Sequence, residues 1–256
     1  PVKVDDELFS LLLMCKEEQP KLHNTVNIAL GTVLNLWHDA RAFSEDNPEK
    51  AYIPDKISLI KAKKHTDMDD VVLDRKKKTV FFKDPEIKLN VGAVAKGYAA
   101  ELVAQDLLKG DMTSFIINAG GNVRTGHPPL DGRDNWGVGL QDPENPSQVF
   151  ETLFLHDKSV VTSGDYQRFY EVDGKRYHHI ISPDTLFPAD SMRSVTIVTE
   201  DSALADLLST ALFIMPFEEG QKFANEHKNI GVVWYLNDGT IVVTDNLKDF
   251  LGSLKQ

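Results

Sequence analysis

Asn90-Val-Gly-Ala-Val-Ala-Lys-Gly-Tyr-Ala-Ala100 is the stretch on which the reading of this 256-residue chain turns. The residues leading into it, Glu86–Asn90, read as a short strand that empties into small side chains. Beyond the bend, Ala95, Ala99, Leu102, Val103 and Leu107 recur at helical spacing, and Gly110 supplies a stop. A strand, a small-residue bend and a helix N-terminus leave unpaired N–H groups pointing outward beside Lys96. That is a place for an anion such as a phosphate or pyrophosphate. An ordinary turn with a solvated lysine accounts for the same residues equally well, so other parts of the chain must decide.

The chain is long enough to bury a large core as one domain or two intimate ones. Its charged fraction of 26% and hydrophobic fraction of 41% are those of a soluble globular protein. A net charge of -11 argues against nucleic-acid binding, which needs clustered Lys and Arg. The one basic run, Arg75-Lys-Lys-Lys78, sits between two strand-like stretches and reads as a charged hairpin turn. A single cysteine, Cys15, excludes an internal disulfide framework and a cysteine-built metal site; its apolar helix predicts a buried, inert thiol. No stretch has the length of a membrane span, and no signal peptide is present. The opening Pro1-Val-Lys-Val-Asp-Asp-Glu reads like the middle of a domain, so the chain is expected to be a cut piece.

Helices are predicted at Asp5–Glu18, Pro54–Lys64, from Ala95 to Gly110 and at Ala203–Met215, with a buried, irregular helical segment at Thr25–Trp37. Strand-like runs are Val71–Asp74, Thr79–Lys83, Ser114–Asn118, Trp136–Leu140, Phe150–Leu155, Ser159–Thr162, Arg168–Val172, Tyr177–Ile181 and Ser194–Thr199. Asp173-Gly174 is a strong hairpin signal, and a final hairpin turns at Asn237-Asp-Gly239. Strands outnumber helices and are mostly hairpin-connected. The expected class is α+β, with a mixed, largely antiparallel sheet and flanking helices.

Four groups of residues carry possible chemistry. Asp206 and Thr210 lie one turn apart on a helix made mostly of Ala, Leu, Phe and Ile. A carboxylate there is costly unless it is paired or holds a cation. Carboxylate and hydroxyl at this spacing make a partial shell for Mg²⁺, which takes few protein oxygens; a Thr210 bonded to its own helix and an Asp206 that caps or pairs with an Arg is the alternative. In Tyr177-His-His-Ile-Ile-Ser-Pro-Asp-Thr185 the two histidines point to opposite faces of a strand, so one of them can serve a site as general base; a surface histidine explains either one as well. Asn118-Ala-Gly-Gly-Asn-Val123 ends a strand with a double glycine that lets a ligand approach the backbone, and a tight turn explains it equally well. Val161-Thr-Ser-Gly-Asp-Tyr166 is small, polar and ambiguous.

Taken in order, these motifs resemble the ApbE family of flavin transferases. The family's phosphate loop, its I-N-x-G-G-N strand end, its S-G-x-Y-x-R-[FY] segment, its H-[IV]-[IL]-D-P-x-T-G-x-P run and its D-x-x-S-T-A helix correspond to Asn90–Tyr98, Ile117–Asn122, Ser163–Phe169, His179–Pro188 and Asp206–Ala211. Leu30-Gly31 and Leu34-Asn-Leu-Trp37 look like the family's G-P-L-V-N-L-W segment. Five ordered motifs over most of the chain make coincidence untenable. The resemblance implies a single flavin-transferase domain over residues 1–256, incomplete at its N-terminus.

It also implies a chemistry. Family members hold FAD with its pyrophosphate beside a divalent cation, usually Mg²⁺, bound by the main-chain carbonyl at the position of Ala93 and by Asp206 and Thr210. Leu36, Trp37, His38, Asn90, Lys96 and Ile181 match cofactor-contacting positions, Asn118, Gly120 and Gly121 fall on the glycine-rich strand end, and His179 matches the histidine suited to be the base. The implied reaction moves FMN from FAD to a Thr or Ser hydroxyl of an acceptor protein and releases AMP. Water in place of the hydroxyl would make the chain a metal-dependent FAD pyrophosphatase; a non-catalytic flavin-binding protein is the reading from another class. By resemblance the full-length protein is extracytoplasmic, with a lipid anchor on a missing N-terminal part. Three positions depart from the pattern. Asn90 and Ser182 stand where the family has Asp, the second removing a carboxylate that could orient His179. Leu186 stands where it has Gly, and is expected to reshape a turn.

Overall fold

The computed structural model describes residues 1–254 and is α+β. Its contacts divide the chain into two compact units. The first takes residues 1–93 and 167–189; the second takes 94–166 and the chain from Asp190 onward.

In the first unit, the helix Asp6–Glu18 starts where the Asp5 carboxylate accepts the Leu8 N–H at 2.7 Å. It buries Phe9, Leu11, Leu12 and Cys15. Burial pushes the Cys15 thiol up to about 12, so it stays protonated and inert, as its apolar helix led one to expect. Lys56–Lys63 is a helix capped the same way by Asp55. Val2–Lys3, Thr79–Phe82 and Val71–Asp74 form an antiparallel sheet with the Thr79–Phe82 strand central. The strands Phe169–Val172 and Lys175–His178 form a hairpin through Asp173 and Gly174, at φ 51° and 75°, the left-handed pair that a two-residue turn demands.

Two expectations in this unit are corrected. Glu86–Asn90 is not a strand: it touches its neighbour through one parallel bridge, Leu30 to Lys88, and through the Asn90 N–H donating to the Ile28 carbonyl at 2.7 Å. Pro85 and the Asp84 carboxylate, which accepts the Glu86 N–H, keep that stretch in a turn instead of a ladder. The segment read as irregular is a loop up to Leu30, followed by a regular helix, Gly31–Asp46. That helix starts at glycine because a Cβ at Gly31 would lie 2.3 Å from the Lys88 carbonyl oxygen. Its C-terminal half, His38–Asp46, exposes Phe43 among charged residues and buries Ala40 and Ser44, which hid it from a reading by hydrophobic period.

The second unit is built on a six-stranded antiparallel sheet in the order Ile241–Val243, Gly231–Leu236, Met192–Thr199, Ser159–Gly164, Asn122–Thr125, Ile116–Ala119. A separate ribbon pairs Trp136–Gln141 with Val149–Leu155. Val123, Val138, Leu153, Val160, Val198 and Val233 belong to the core formed there. The helices Ala95–Lys109, ended at Gly110 as expected, and Ser202–Ile214, capped by Asp201, pack on each other. Ser202–Ile214 is apolar almost all round and accordingly buries ten of its residues. The strand Asn122–Thr125 and the helix Phe217–Glu226 were not foreseen. No helix among the described residues is long and apolar enough to cross a membrane.

Candidate functional site

In the second unit Asp206 is 4% exposed, on the buried face of its helix. Its Oδ2 accepts the Gly97 N–H at 2.8 Å, at the first turn of the helix Ala95–Lys109. Burial raises the Asp206 carboxyl above its ordinary range, while the Gly97 N–H, the Lys96 charge and the Asn122 amide pull it back. Of the two alternatives for Asp206, capping a helix or pairing with an arginine, the chain shows the first: the carboxylate accepts a first-turn N–H of the helix Ala95–Lys109, with the Lys96 charge nearby. Thr210 Oγ1 lies 3.4 Å from Ser163 Oγ, which is also 2.9 Å from Ser209 Oγ. Ser163 thus ties the polar side of this helix to the strand Ser159–Gly164, a role that sequence alone left ambiguous.

Gly97 is what lets the two helices meet. A Cβ there would lie 2.1 Å from the Ser202 carbonyl oxygen and 2.5 Å from the Asp206 Cβ. The first of these is backbone and cannot step aside. Gly97→Ala is therefore expected to force the helices apart and lengthen the bond to Asp206, costing about 1–3 kcal/mol. Thermal unfolding checks this; an unchanged midpoint would mean the helices slide without cost.

The double glycine resolves as a tight turn. Gly120 and Gly121, at φ 61° and 94°, join the strands Ile116–Ala119 and Asn122–Thr125, and Asn118 Oδ1 accepts the Gly121 N–H at 2.9 Å. Both glycines face open space, so the turn leaves its backbone accessible. Lys96 Nζ donates to Asn122 Oδ1 at 3.0 Å. Asn122 follows the glycine pair directly in the sequence, and that place is its signal as a site residue.

The first unit holds the other candidates. His178 is buried, its Nε2 donating to the Ala189 carbonyl at 2.6 Å and its Nδ1 accepting the Ile180 N–H at 3.2 Å. Both nitrogens serve the local fold. His179 is exposed, its N–H donating to the Arg168 carbonyl at 3.2 Å. Its imidazole is lowered to about 4, first by desolvation and then by His178, Arg168 and Arg41. The ring keeps an accessible edge within crowded, cation-rich surroundings, and at neutral pH it is an uncharged base.

Leu36, Trp37 and Ile181 come together in one apolar cluster with Tyr170 and Leu186. Trp37 is 4% exposed, rests against Tyr177 and Phe187, and donates its indole N–H to the Leu186 carbonyl at 2.8 Å. It is core, with little surface to offer a ligand. His38 and Asn90 are exposed; Asn90 Oδ1 accepts the Gly92 N–H and shapes the bend. Ala93, whose carbonyl the resemblance makes a metal ligand, is the last residue of the first unit.

Ser182 is buried, and its hydroxyl accepts the Asp184 N–H at 3.3 Å. Leu186 holds φ 64°, the left-handed conformation that glycine takes freely, with its side chain buried. Left-handed backbone costs a leucine about 1–2 kcal/mol, whereas losing a buried leucine side chain costs about 2–5 kcal/mol. Burial wins, so Leu186→Gly is expected to lower the unfolding midpoint. A rise would show that the strain outweighs the packing.

The fold is that of flavin transferases. The flavin transferase ApbE of Vibrio cholerae superposes with a TM-score of 0.82 over 98% of this chain and 78% of its own; at 24% identity that likeness concerns the fold. The ApbE protein of Thermotoga maritima superposes with a TM-score of 0.86 at 33% identity, over 97% of this chain and 79% of its own. Residues 1–234 match the ApbE family model, and the chain belongs to the ApbE family. Curated relatives named FAD:protein FMN transferase occur in Klebsiella pneumoniae, 31% identical over 95% of this chain and 73% of the relative, and in Treponema pallidum, 32% identical over 97% and 71%.

Proposed function

We propose that this chain transfers FMN from FAD to a Thr or Ser hydroxyl of an acceptor protein with the help of Mg²⁺, releasing AMP. Flavin transfer to a protein follows the names of its relatives. The observation that carries the finer reading is Asp206, a carboxylate enclosed in an apolar helix and relieved only in part by an N–H and a nearby lysine. The oxygens of Asp206 and Thr210 are donors of the kind a hard cation takes, and the family resemblance adds the Ala93 carbonyl. Among the described residues no cluster of three or more His, Cys, Asp or Glu could hold a metal, so such a cation would complete its shell with phosphate and water. When bound, Mg²⁺ would neutralise charge gathering on the pyrophosphate.

The chain's own residues supply the rest. Lys96 brings a positive charge to the same anion. His179, uncharged at neutral pH, takes the proton of the attacking hydroxyl. The hydroxyl oxygen bonds to the FMN-side phosphorus, the bond to the AMP oxygen breaks, and AMP carries away the electron pair. An extracytoplasmic setting and a lipid anchor belong to this proposal through the resemblance alone.

Incubation with FAD, Mg²⁺ and an acceptor domain, followed by mass spectrometry, tests the reading. Covalent FMN on the acceptor with one AMP released per adduct is expected. AMP without adduct would make the chain a pyrophosphatase, and neither product would leave a flavin-binding protein.

A further inference from the structure

Asn122 has more to explain than its place in a hairpin. It is fully buried, at 0% exposure, in the strand Asn122–Thr125. Its amide oxygen accepts the Lys96 ammonium, while its amide nitrogen is buried without a hydrogen bond of sound geometry. The same amide acts on the Asp206 carboxylate, and so does the Lys96 charge. One small side chain therefore meets a cation with its acceptor end and has its donor end free in reach of an anion. A buried orphan N–H is costly and rare. A carboxylate as enclosed as Asp206 would by itself draw in the nearest ammonium. Yet Lys96 donates to Asn122, and the Asp206 oxygen Oδ2 is taken by a backbone N–H.

We propose that Asn122 is a positioning residue whose amide stands between Lys96 and Asp206 and keeps them from closing into an ion pair, so that the lysine stays available to phosphate and the carboxylate to the cation. This rests on the reading of Asp206 as a cation ligand given above. An ion pair between the two would spend both charges on each other. An amide spacer holds the ammonium on its oxygen and leaves its N–H, a neutral group, to the carboxylate side, where a stronger ligand can take its place.

Mn²⁺ serves as the probe, with its free form read by electron paramagnetic resonance, and thermal unfolding shows that each variant is folded. Wild type should bind Mn²⁺ and Asp206→Asn should bind it far less. Asn122→Ser, too short to bridge, should let Lys96 reach Asp206 and weaken Mn²⁺ binding about tenfold. Adding Lys96→Met to that variant should restore binding to within about threefold of wild type, because the competing cation is gone. Asn122→Asp keeps the size and the acceptor for Lys96. It should bind Mn²⁺ no more weakly than wild type, which keeps the idea testable if Asn122→Ser does not fold. A double variant as weak as Asn122→Ser, or an Asn122→Asp protein weakened like it, overturns the proposal while leaving the cation reading intact. Wild type that binds no better than Asp206→Asn removes the cation reading and the proposal together.

Discussion

Asp206→Asn is expected to abolish most of the coupling between FAD and Mg²⁺ while leaving the fold intact. Two phosphate charges beside a carboxylate repel it unless a divalent ion intervenes, so FAD and the cation should bind wild type with positive coupling. By linkage each must raise the other's affinity by the same factor, about 1–3 kcal/mol or 5- to 150-fold. Asparagine keeps an oxygen for the Gly97 N–H and loses the charge. Titration of FAD calorimetrically in Mg²⁺ and then in EDTA should show a large ratio of affinities in wild type and a ratio near one in the variant. Equal affinities in wild type would mean that the site is not built around a cation. Stability should move the other way. The folded carboxyl of Asp206 is raised above its unfolded value by burial, so the native state holds its proton to higher pH than the unfolded chain does. Its charge therefore opposes folding once pH rises through the raised value, and the opposition fades as pH falls. At pH 7 Asp206→Asn should be at least as stable as wild type, and the difference should shrink in acid. A variant less stable at pH 7 would show that the charge is structural.

How legible this was in the sequence depends on which physics each residue obeys. The helix Ser202–Ile214 and its odd carboxylate could be read directly, because an apolar run with one Asp is anomalous by composition. The hairpins at Asp173-Gly174 and Asn237-Asp-Gly239 could be read because left-handed φ selects those residues. The strand at Glu86–Asn90 was misread because a few alternating residues carry no information on whether a neighbour offers a full ladder, and here it offers one bridge. The left-handed Leu186 was beyond any propensity argument: tertiary packing of a buried leucine overrides the backbone preference. Gly97 was visible as a small residue, but that its hydrogen atom faces the backbone of a helix more than one hundred residues later was not. Asp206 and Thr210 stood out in the sequence as a carboxylate and a hydroxyl on an apolar helix, whereas the hydrogen bond that joins Asn122 to Lys96, 26 residues earlier, could not be read, because sequence does not place the two side by side.

Replacing His179 with alanine should lower the turnover of flavin transfer by about two to four decades, the range for a positioned base, and leave FAD affinity largely unchanged. The two adjacent histidines separate cleanly. His178 spends both ring nitrogens on the Ala189 carbonyl and the Ile180 N–H, so His178→Ala should cost stability first. His179 keeps an accessible ring and is lowered to about 4 by desolvation and by His178, Arg168 and Arg41. In the free enzyme it stays a neutral base well below pH 6.5, so the acid limb of kcat/KM for FAD should lie near pH 4. Such a weak base drives proton transfer poorly at neutral pH. On the proposed reading, an arriving pyrophosphate would bring negative charge toward the same cationic surroundings, and opposite charge favours the imidazolium. The acid limb of kcat, which reports the bound complex, should therefore sit at higher pH than that of kcat/KM. Superimposable limbs would show that the phosphates do not approach His179, and turnover unchanged in His179→Ala would remove it from the mechanism.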